Sequence, residues 1–382
     1  MKDFSHVSDP LRLHQGAKAL DRLAREMDRA GFSRAVVMTG ASLGQHHPVL
    51  QRLQEALGDR FAGVWSGVRP HSPLPTVLEA AKALDAHKAD CVVALGGGSA
   101  IVTARAAAIA LAEGDDLAAL ATRMDADGKL HSPKLQAPKL AQFVVPTTPT
   151  TAMVKAGTAV LDPDSSSRLA LFDPKTRAQA VAIDPSALAS APLPLVLDAG
   201  FNTLTLAIEG VISRGVDPFA EAFLLQAIRL IAAAFDHPAE EVAGYGAELA
   251  VAAALAGRGT DHAGAGVATV LAHALGARFD LGHGALNAVF LPEALRFNAQ
   301  AAPEALLRVA QAFECSSTQA LIGKLDELRA RFGMAARLRD LGVPENALGD
   351  ASEIAVKDWF LLGNPRKVEG AQPLREILDK VW

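Results

Sequence analysis

The chain has 382 residues, half of them hydrophobic and 21% charged, with a formal net charge of -5. That length supports two domains, each with its own core, and the acidic balance speaks against a general nucleic-acid binder, which needs a basic face. Cys91 and Cys315 are the only cysteines and sit at no metal-ligand or redox spacing, which fits a reducing cytoplasm and not a disulfide framework.

The N-terminal MKDFSHVSDPLRLHQG has no apolar run of the kind a secretory signal needs. No charge-free apolar stretch of membrane-spanning length is expected either: the best candidate, AIVTARAAAIALAEGDD, carries Arg105 and stops at Glu113. The first half then alternates. RAVVM (34–38) and CVVAL (91–95) are short β-branched runs, and amphipathic stretches with helical spacing fall at 16–30 and 47–57. FVVP (143–146) is a further strand leading into a Thr/Pro loop. Residues 157–161 and 168–172 form a predicted hairpin across DPDSSS, and VAIDPSAL (181–188) is a strand followed by a turn. Alternating β and α units predict a mainly parallel sheet with helices on both faces. From about residue 195 onward alanine- and leucine-rich segments dominate, at 201–213, 217–235, 239–257, 264–277, 303–313, 317–331 and 350–362. The second domain is therefore predicted to be all-α. The boundary is placed in the proline-rich SAPLPLVLD, giving domains 1–193 and 194–382.

Two loops carry the first chemistry. In CVVALGGGSAIVTARAAAIALA (91–112) a buried strand runs into Gly96, Gly97, Gly98 and Ser99, and a helix starts at once. Glycines let a backbone approach a pyrophosphate, and the helix N-terminus offers free N–H groups and a positive dipole end. The alternative is an ordinary strand-to-helix turn. In FVVPTTPTTAMVKAGTAVLD (143–162), threonine hydroxyls following a strand can reach phosphate and ribose oxygens, or simply satisfy their own backbone.

Together these segments resemble the iron-containing (group III) alcohol dehydrogenase superfamily, which pairs a GGGSxxD loop with a later PTTxGTGSE-like loop. NTLTLAIEG (202–210) is similar to the family's DALTHAIEA. VATVLAHALGARFDLGHGALNAVFLPEALRFN (267–298) is similar to its HxxxHPLG…PHGxxNAxxLPxVxxFN, and NPR (364–366) to a C-terminal feature. The resemblance implies a Rossmann-like α/β nucleotide-binding domain followed by an all-α catalytic domain, the dehydroquinate synthase-like fold, with the active site in the cleft. It implies hydride transfer between NAD or NADP and an alcohol/carbonyl pair, with Thr147, Thr148 and Thr151 lining the cofactor.

The family's metal ligands are an aspartate and three histidines. They fall here on Asn202, Leu206, Thr269 and His283, so three of the four are replaced. A divalent ion needs about three or four protein donors in fixed geometry, so no metal is expected at this position. Asp198, Asp261 and His262 could supply relocated ligands; the competing reading makes Asp198 the cap of a helix beginning near residue 199, and Asp261 and His262 caps of the next. The remaining histidines, His6, His14, His46, His47, His71, His87, His131 and His237, show no ligand spacing.

Further departures follow. The phosphate-loop aspartate falls on Val102 and the following lysine on Arg105. GTGSE becomes TTAMV with Lys155 nearby, and the acid after the first strand falls in TGAS near Gly40. Loss of that acid removes a charge that would repel a 2′-phosphate, so NADP is expected to be accepted alongside NAD. Arg105 and Lys155 could pair with an acidic substrate, although a solvated surface cation is the commoner fate. The asparagine at position 202 also resembles the maleylacetate reductase branch, which keeps the histidines missing here.

The mechanism implied by the resemblance makes His273 the proton donor, since it matches the family's non-ligand histidine and imidazole suits general acid work near neutral pH. His283 and Asn202 would hydrogen-bond the carbonyl or substrate, with help from Thr269. The leading expectation is a metal-independent oxidoreductase acting on a small aldehyde, ketone or oxo acid. The alternatives are a metal-dependent dehydrogenase with moved ligands, a non-catalytic cofactor-binding relative, and a lyase of the dehydroquinate synthase type. A homodimer is compatible with the large alanine-rich faces.

Overall fold

The computed structural model describes residues 3–44, 47–125, 129–164 and 167–382. The chain forms two compact units. One runs from Asp9 to Ala191; the other runs from Pro192 to Trp382 and also takes in the described residues before Asp9. The N-terminal segment therefore belongs with the helical half and not with the α/β half, where the sequence reading placed it.

The α/β unit is built on strands β1 (Leu13–Gln15), β2 (Ala35–Gly40), β3 (Phe61–Val68), β4 (Cys91–Gly96), β7 (Ala141–Pro146) and β10 (Ala178–Ile183). They form a six-stranded sheet in the order β1-β10-β7-β4-β2-β3, every pair parallel. Two small antiparallel pairs stand as separate sheets, β5 (Arg123–Met124) with β6 (Leu130–His131) and β8 (Gly157–Asp162) with β9 (Ser167–Phe172). The second is the predicted hairpin; Ser165 and Ser166 of its turn lie outside the described residues.

Helices α1 (Ala19–Ala30) and α2 (Pro48–Leu57) cover one face. Leu20, Leu23, Met27, Val49, Leu50, Leu53 and Leu57 pack there on alternate strand residues such as Val37, Val93, Leu95 and Phe143. Helices α3 (Leu74–Ala86) and α4 (Gly98–Glu113) pack against each other and on β3 and β4 respectively. The central strands are buried on both faces, as parallel strands between helix layers must be. Sequence reasoning missed β1 and β3. Both are edge strands: β1 has three residues, and β3 contains Gly63 and Gly67 and is half-buried throughout, so neither leaves a strong β-branched signal.

The helical unit follows a four-residue helix α5 (Pro185–Leu188). It comprises α6 (Leu193–Ile212), α7 (Pro218–Phe235), α8 (Ala239–Val242), α9 (Gly246–Ala263), α10 (Val267–Gly276), α11 (His283–Asn298), α12 (Pro303–Ala312), α13 (Thr318–Arg331), α14 (Leu348–Ala355) and α15 (Gln372–Val381). α6 starts well before the predicted 201 because Pro194 sits in its first turn, where no N–H is needed. α6 and α7 are long and apolar enough by composition to cross a membrane, but α6 carries Asp198 and Glu209 and both pack against α9.

The predicted 350–362 helix is in fact broken. α14 ends at Ala355, and Asp358 opens a 3-10 turn over Trp359–Gly363 by accepting from Phe360 N–H at 2.9 Å. The side chain of Asp358 is thereby turned toward α10.

Candidate active site

In the α/β unit the two predicted cofactor loops lie side by side. β4 ends at Gly96, whose φ of 146° lies in the region open to glycine. Gly97 is the N-cap residue of α4, and among the described residues no side-chain cap bond closes that helix start, the kind of helix N-terminus that suits an anion. β7 ends at Pro146, and Thr147 N–H donates to Gly96 O at 3.1 Å, tying the threonine loop to the glycine loop. A Cβ at Gly97 would fall 2.9 Å from Thr148 Oγ1, and one at Gly98 3.2 Å from Thr150 Oγ1. The glycines thus create the space in which the threonines approach. Thr147 and Thr151 are themselves buried, at 6% and 7% exposure, whereas Thr148 and Thr150 are half-buried. Thr150, not singled out in the sequence, is the threonine that approaches Gly98.

A second missed element supports this loop. His71 and Ser72 both have positive φ, 61° and 51°, which side-chain-bearing residues rarely adopt. Ser72 is buried and donates to Ser99 O at 3.1 Å while accepting from Thr103 Oγ1 at 3.0 Å. Two successive strained residues behind the glycine loop are the kind of cost that persists only where the surroundings over-determine it.

Arg105 is not a surface cation. It is fully buried and donates to the carbonyl oxygens of Gly157 (2.8 Å), Ala152 (2.9 Å) and Thr176, and to Gln142 Oε1 (3.1 Å). It holds α4, the threonine loop and β8 together and is unavailable to substrate. Lys155 is half-buried.

In the helical unit His273, His283 and Asn202 come from α10, the first residue of α11, and α6. The His273 and His283 rings lie 5.3 Å apart. His273 Nδ1 lies 2.7 Å from Asp358 Oδ2, with Phe360 edge-on to the ring at 5.6 Å. An Nδ1–H donated to this carboxylate leaves Nε2 for proton exchange. Asp358 is the residue sequence reasoning missed, because it was read as mid-helix.

The glycines of GHG explain how His283 is placed. A Cβ on Gly282 or Gly284 would overlap Asp198, and a Cβ on Gly276 would fall 2.9 Å from His283 Cδ2. Only glycines let the start of α11 press onto α6. Asp198 does not cap a helix beginning near 199; it lies inside α6, and its Oδ1 accepts from Ala285 N–H at 2.8 Å, capping α11 instead. Burial pushes its carboxyl above the usual aspartate range despite hydrogen bonds from the Ala285 and Gly284 backbone.

Asp261 and His262 do not stand at the start of a helix: both lie in the last turn of α9. Among the described residues Asp198 and Asp261 do not gather with His262 as a ligand group; His262 meets His6 and Asp217 instead. Of the remaining histidines, His46 lies outside the described residues, His47 accepts from Val49 N–H at the start of α2, and His14, His131 and His237 pair with Glu26, Asp125 and Glu241. His6, which shows no ligand spacing along the sequence, meets Asp217 and His262 in the fold.

The family's metal does not fit the residues present. Leu206 has no donor atom. Thr269 Oγ1 donates to Glu209 Oε2 at 2.6 Å, so it is not free to help at a carbonyl. Glu209, buried, also accepts from the N–H groups of Gly266, Ala268 and Thr269 and so caps α10; burial pushes its carboxyl up while these donors pull it back. Asn202 Oδ1 accepts from Asn287 Nδ2 at 3.0 Å, and Asn287 Oδ1 is buried with no partner among the described residues. NPR is structural: Asn364 and Asn298 exchange amide hydrogen bonds at 3.0 and 2.8 Å, fastening the C-terminal segment to α11.

Comparison with known proteins identifies the family. The family model for iron-containing alcohol dehydrogenase matches residues 10–185, and that for the C-terminal part of the Fe-containing alcohol dehydrogenase family matches 196–382. Lactaldehyde reductase of Escherichia coli K12 is 28% identical, covering 96% of this chain and 97% of its own. Maleylacetate reductase of Burkholderia cepacia is 29% identical, covering 96% and 94%. In structure, a sulfoacetaldehyde reductase from Bifidobacterium kashiwanohense, solved with NAD+, superimposes with a TM-score of 0.87 at 20% identity over 100% of this chain and 99% of its own. With both halves matched, the chain belongs to the iron-containing alcohol dehydrogenase family and is an oxidoreductase of alcohols and aldehydes.

Proposed function

We propose that this enzyme interconverts a small aldehyde, ketone or oxo acid with its alcohol, using NAD or NADP and no metal at the family's usual position. The observation that carries the reading is the fate of the ligand positions: one has no donor, one is spent on Glu209, and one is paired with Asn287. The nicotinamide, when bound, supplies or accepts the hydride. Gly96, Gly97, Gly98 and Ser99 with the N-terminus of α4 hold the pyrophosphate, and Thr147, Thr148 and Thr151 line the neighbouring loop, with Thr150 added by its approach to Gly98. The NAD+ complex of the sulfoacetaldehyde reductase supports a nicotinamide cofactor in this fold. β2 ends in Thr39 and Gly40, with no carboxylate there to repel a 2′-phosphate, which favours acceptance of NADP.

Carbonyl reduction also needs the oxygen to be stabilised as it gains charge, and a proton. His273, held by Asp358, exchanges that proton through Nε2. His283 and the Asn202–Asn287 pair take the place of the ion by hydrogen-bonding the substrate oxygens, pre-aimed donors being worth about 3–4 kcal/mol each to a developing oxyanion. The test is turnover across a panel of small aldehydes and oxo acids with NADH and NADPH, before and after exhaustive chelation. Turnover unchanged by chelation and reduced in His273→Gln and His283→Asn supports the reading. Activity abolished by chelation and restored by one equivalent of a divalent ion overturns it.

A further inference from the structure

Away from the residues assigned to catalysis, the helical unit gathers His6, Asp217 and His262, whose ligand atoms all lie within 4.8 Å of one another. They come from the N-terminal segment, the N-cap of α7 and the last turn of α9, and no sequence spacing links them. His6 Nδ1 is 3.0 Å from Asp217 Oδ2, and His262 Nδ1 is 3.9 Å from the same oxygen. The cluster is sheltered: side-chain exposure is 8% for His6, 6% for Asp217 and 24% for His262.

We propose that His6, Asp217 and His262 form a binding site for a zinc-like divalent transition ion that fastens the N-terminal segment to α7 and α9. Two imidazole nitrogens and one carboxylate oxygen are the donors such ions take, with a further position left for water. Donors about 2.0–2.2 Å from a tetrahedral ion stand roughly 3.3–3.6 Å apart, between the two separations found here. The imidazole rings stack at 4.0 Å with both Nδ1 atoms near one oxygen, yet only His6 is within hydrogen-bond reach of it. A cation among the three groups would draw both Nδ1 atoms and Asp217 Oδ2 to itself, with a turn of the His262 ring to aim its lone pair inward.

The outer contacts fit as well. Asp217 Oδ1 accepts from the N–H groups of Phe219 and Ala220, fixing the carboxylate with Oδ2 toward the histidines. His6 Nε2 lies 3.1 Å from Ser8 Oγ, so an Nε2–H donated there leaves the Nδ1 lone pair inward, as a metal-ligating imidazole requires. Phe219 stacks on His6 at 4.9 Å and Phe223 lies at 6.4 Å, packing the His6 ring against α7.

The experiment uses the full-length, tag-free chain, titrated with Zn2+ by calorimetry and with Co2+ by its visible absorption. The expected result is one saturable equivalent, with affinity falling at least tenfold in each of His6→Ala, His262→Gln and Asp217→Asn. The last of these keeps an oxygen for capping α7, so loss of the ion is not mistaken for loss of the helix. His283→Asn should bind as wild type, and turnover of His6→Ala should match wild type. Weak, non-saturable binding, or binding that survives all three substitutions, overturns the proposal. Binding lost in His283→Asn instead would place the ion at the family's position and overturn the metal-free mechanism as well, whereas failure of the His6 site alone leaves that mechanism standing.

Discussion

Replacing Asp358 by asparagine tests the proton-transfer arrangement most directly. The asparagine oxygen can still accept from Phe360 N–H, so the 3-10 turn over Trp359–Gly363 should survive. What changes is the atom facing His273 Nδ1: an acceptor at 2.7 Å becomes an amide donor, which selects the other tautomer of the ring. A hydrogen bond to a charged group is worth about 1.5–3 kcal/mol, or roughly 10- to 150-fold in rate at about 1.4 kcal/mol per decade. His273 and Asp358 are 26% and 18% exposed, so solvent weakens the interaction and the lower end, roughly tenfold, is expected. The assay is steady-state reduction of the best carbonyl substrate. The loss should appear in kcat, with KM for NADH and the melting temperature little changed. His273→Gln should cost more, about 10²–10⁴-fold, because it removes the acid itself. The double variant should be no slower than His273→Gln alone, since Asp358 acts through His273. Independent, multiplying losses, or a wild-type kcat in Asp358→Asn, would refute the positioning role.

Three further outcomes are expected. Gly97→Ala places a Cβ 2.9 Å from Thr148 Oγ1 and pushes the threonine loop off the glycine loop, so NADH affinity measured by calorimetry should fall at least tenfold, about 1.4 kcal/mol. Arg105→Met removes a fully buried cation from three carbonyls and Gln142; these acceptors are left unsatisfied, and urea denaturation should show a loss of about 3–5 kcal/mol. Asp198→Asn keeps an oxygen for Ala285 N–H but cannot ionise. Because the native carboxyl is raised above its ordinary value, the folded chain holds that proton to higher pH than the unfolded chain, and the wild type loses stability relative to the variant as pH climbs through the interval. Urea midpoints of the two proteins compared at pH 4 and pH 7 should show this widening difference; parallel curves would contradict it.

The sequence by itself determined what local pattern can carry. Apolar runs ending in glycine marked the central strands, and Gly96–Ser99 marked an anion-accepting helix start, because buried parallel strands and close backbone approach leave few residue types available. The resemblance to the family also placed Leu206 and Thr269 where it would expect ligands. Tertiary structure decided everything that depends on which distant groups meet. Arg105 proved a buried tie because four acceptors from separate segments converge on it. Asp198 proved the cap of α11, a helix that begins 85 residues later, because Gly282 and Gly284 allow the backbones to touch. Asp358 became the partner of His273 only because α14 stops early, and His6 met Asp217 and His262 across more than two hundred residues. Composition and periodicity record what each segment prefers on its own; hydrogen-bond satisfaction between segments is a property of the packed chain.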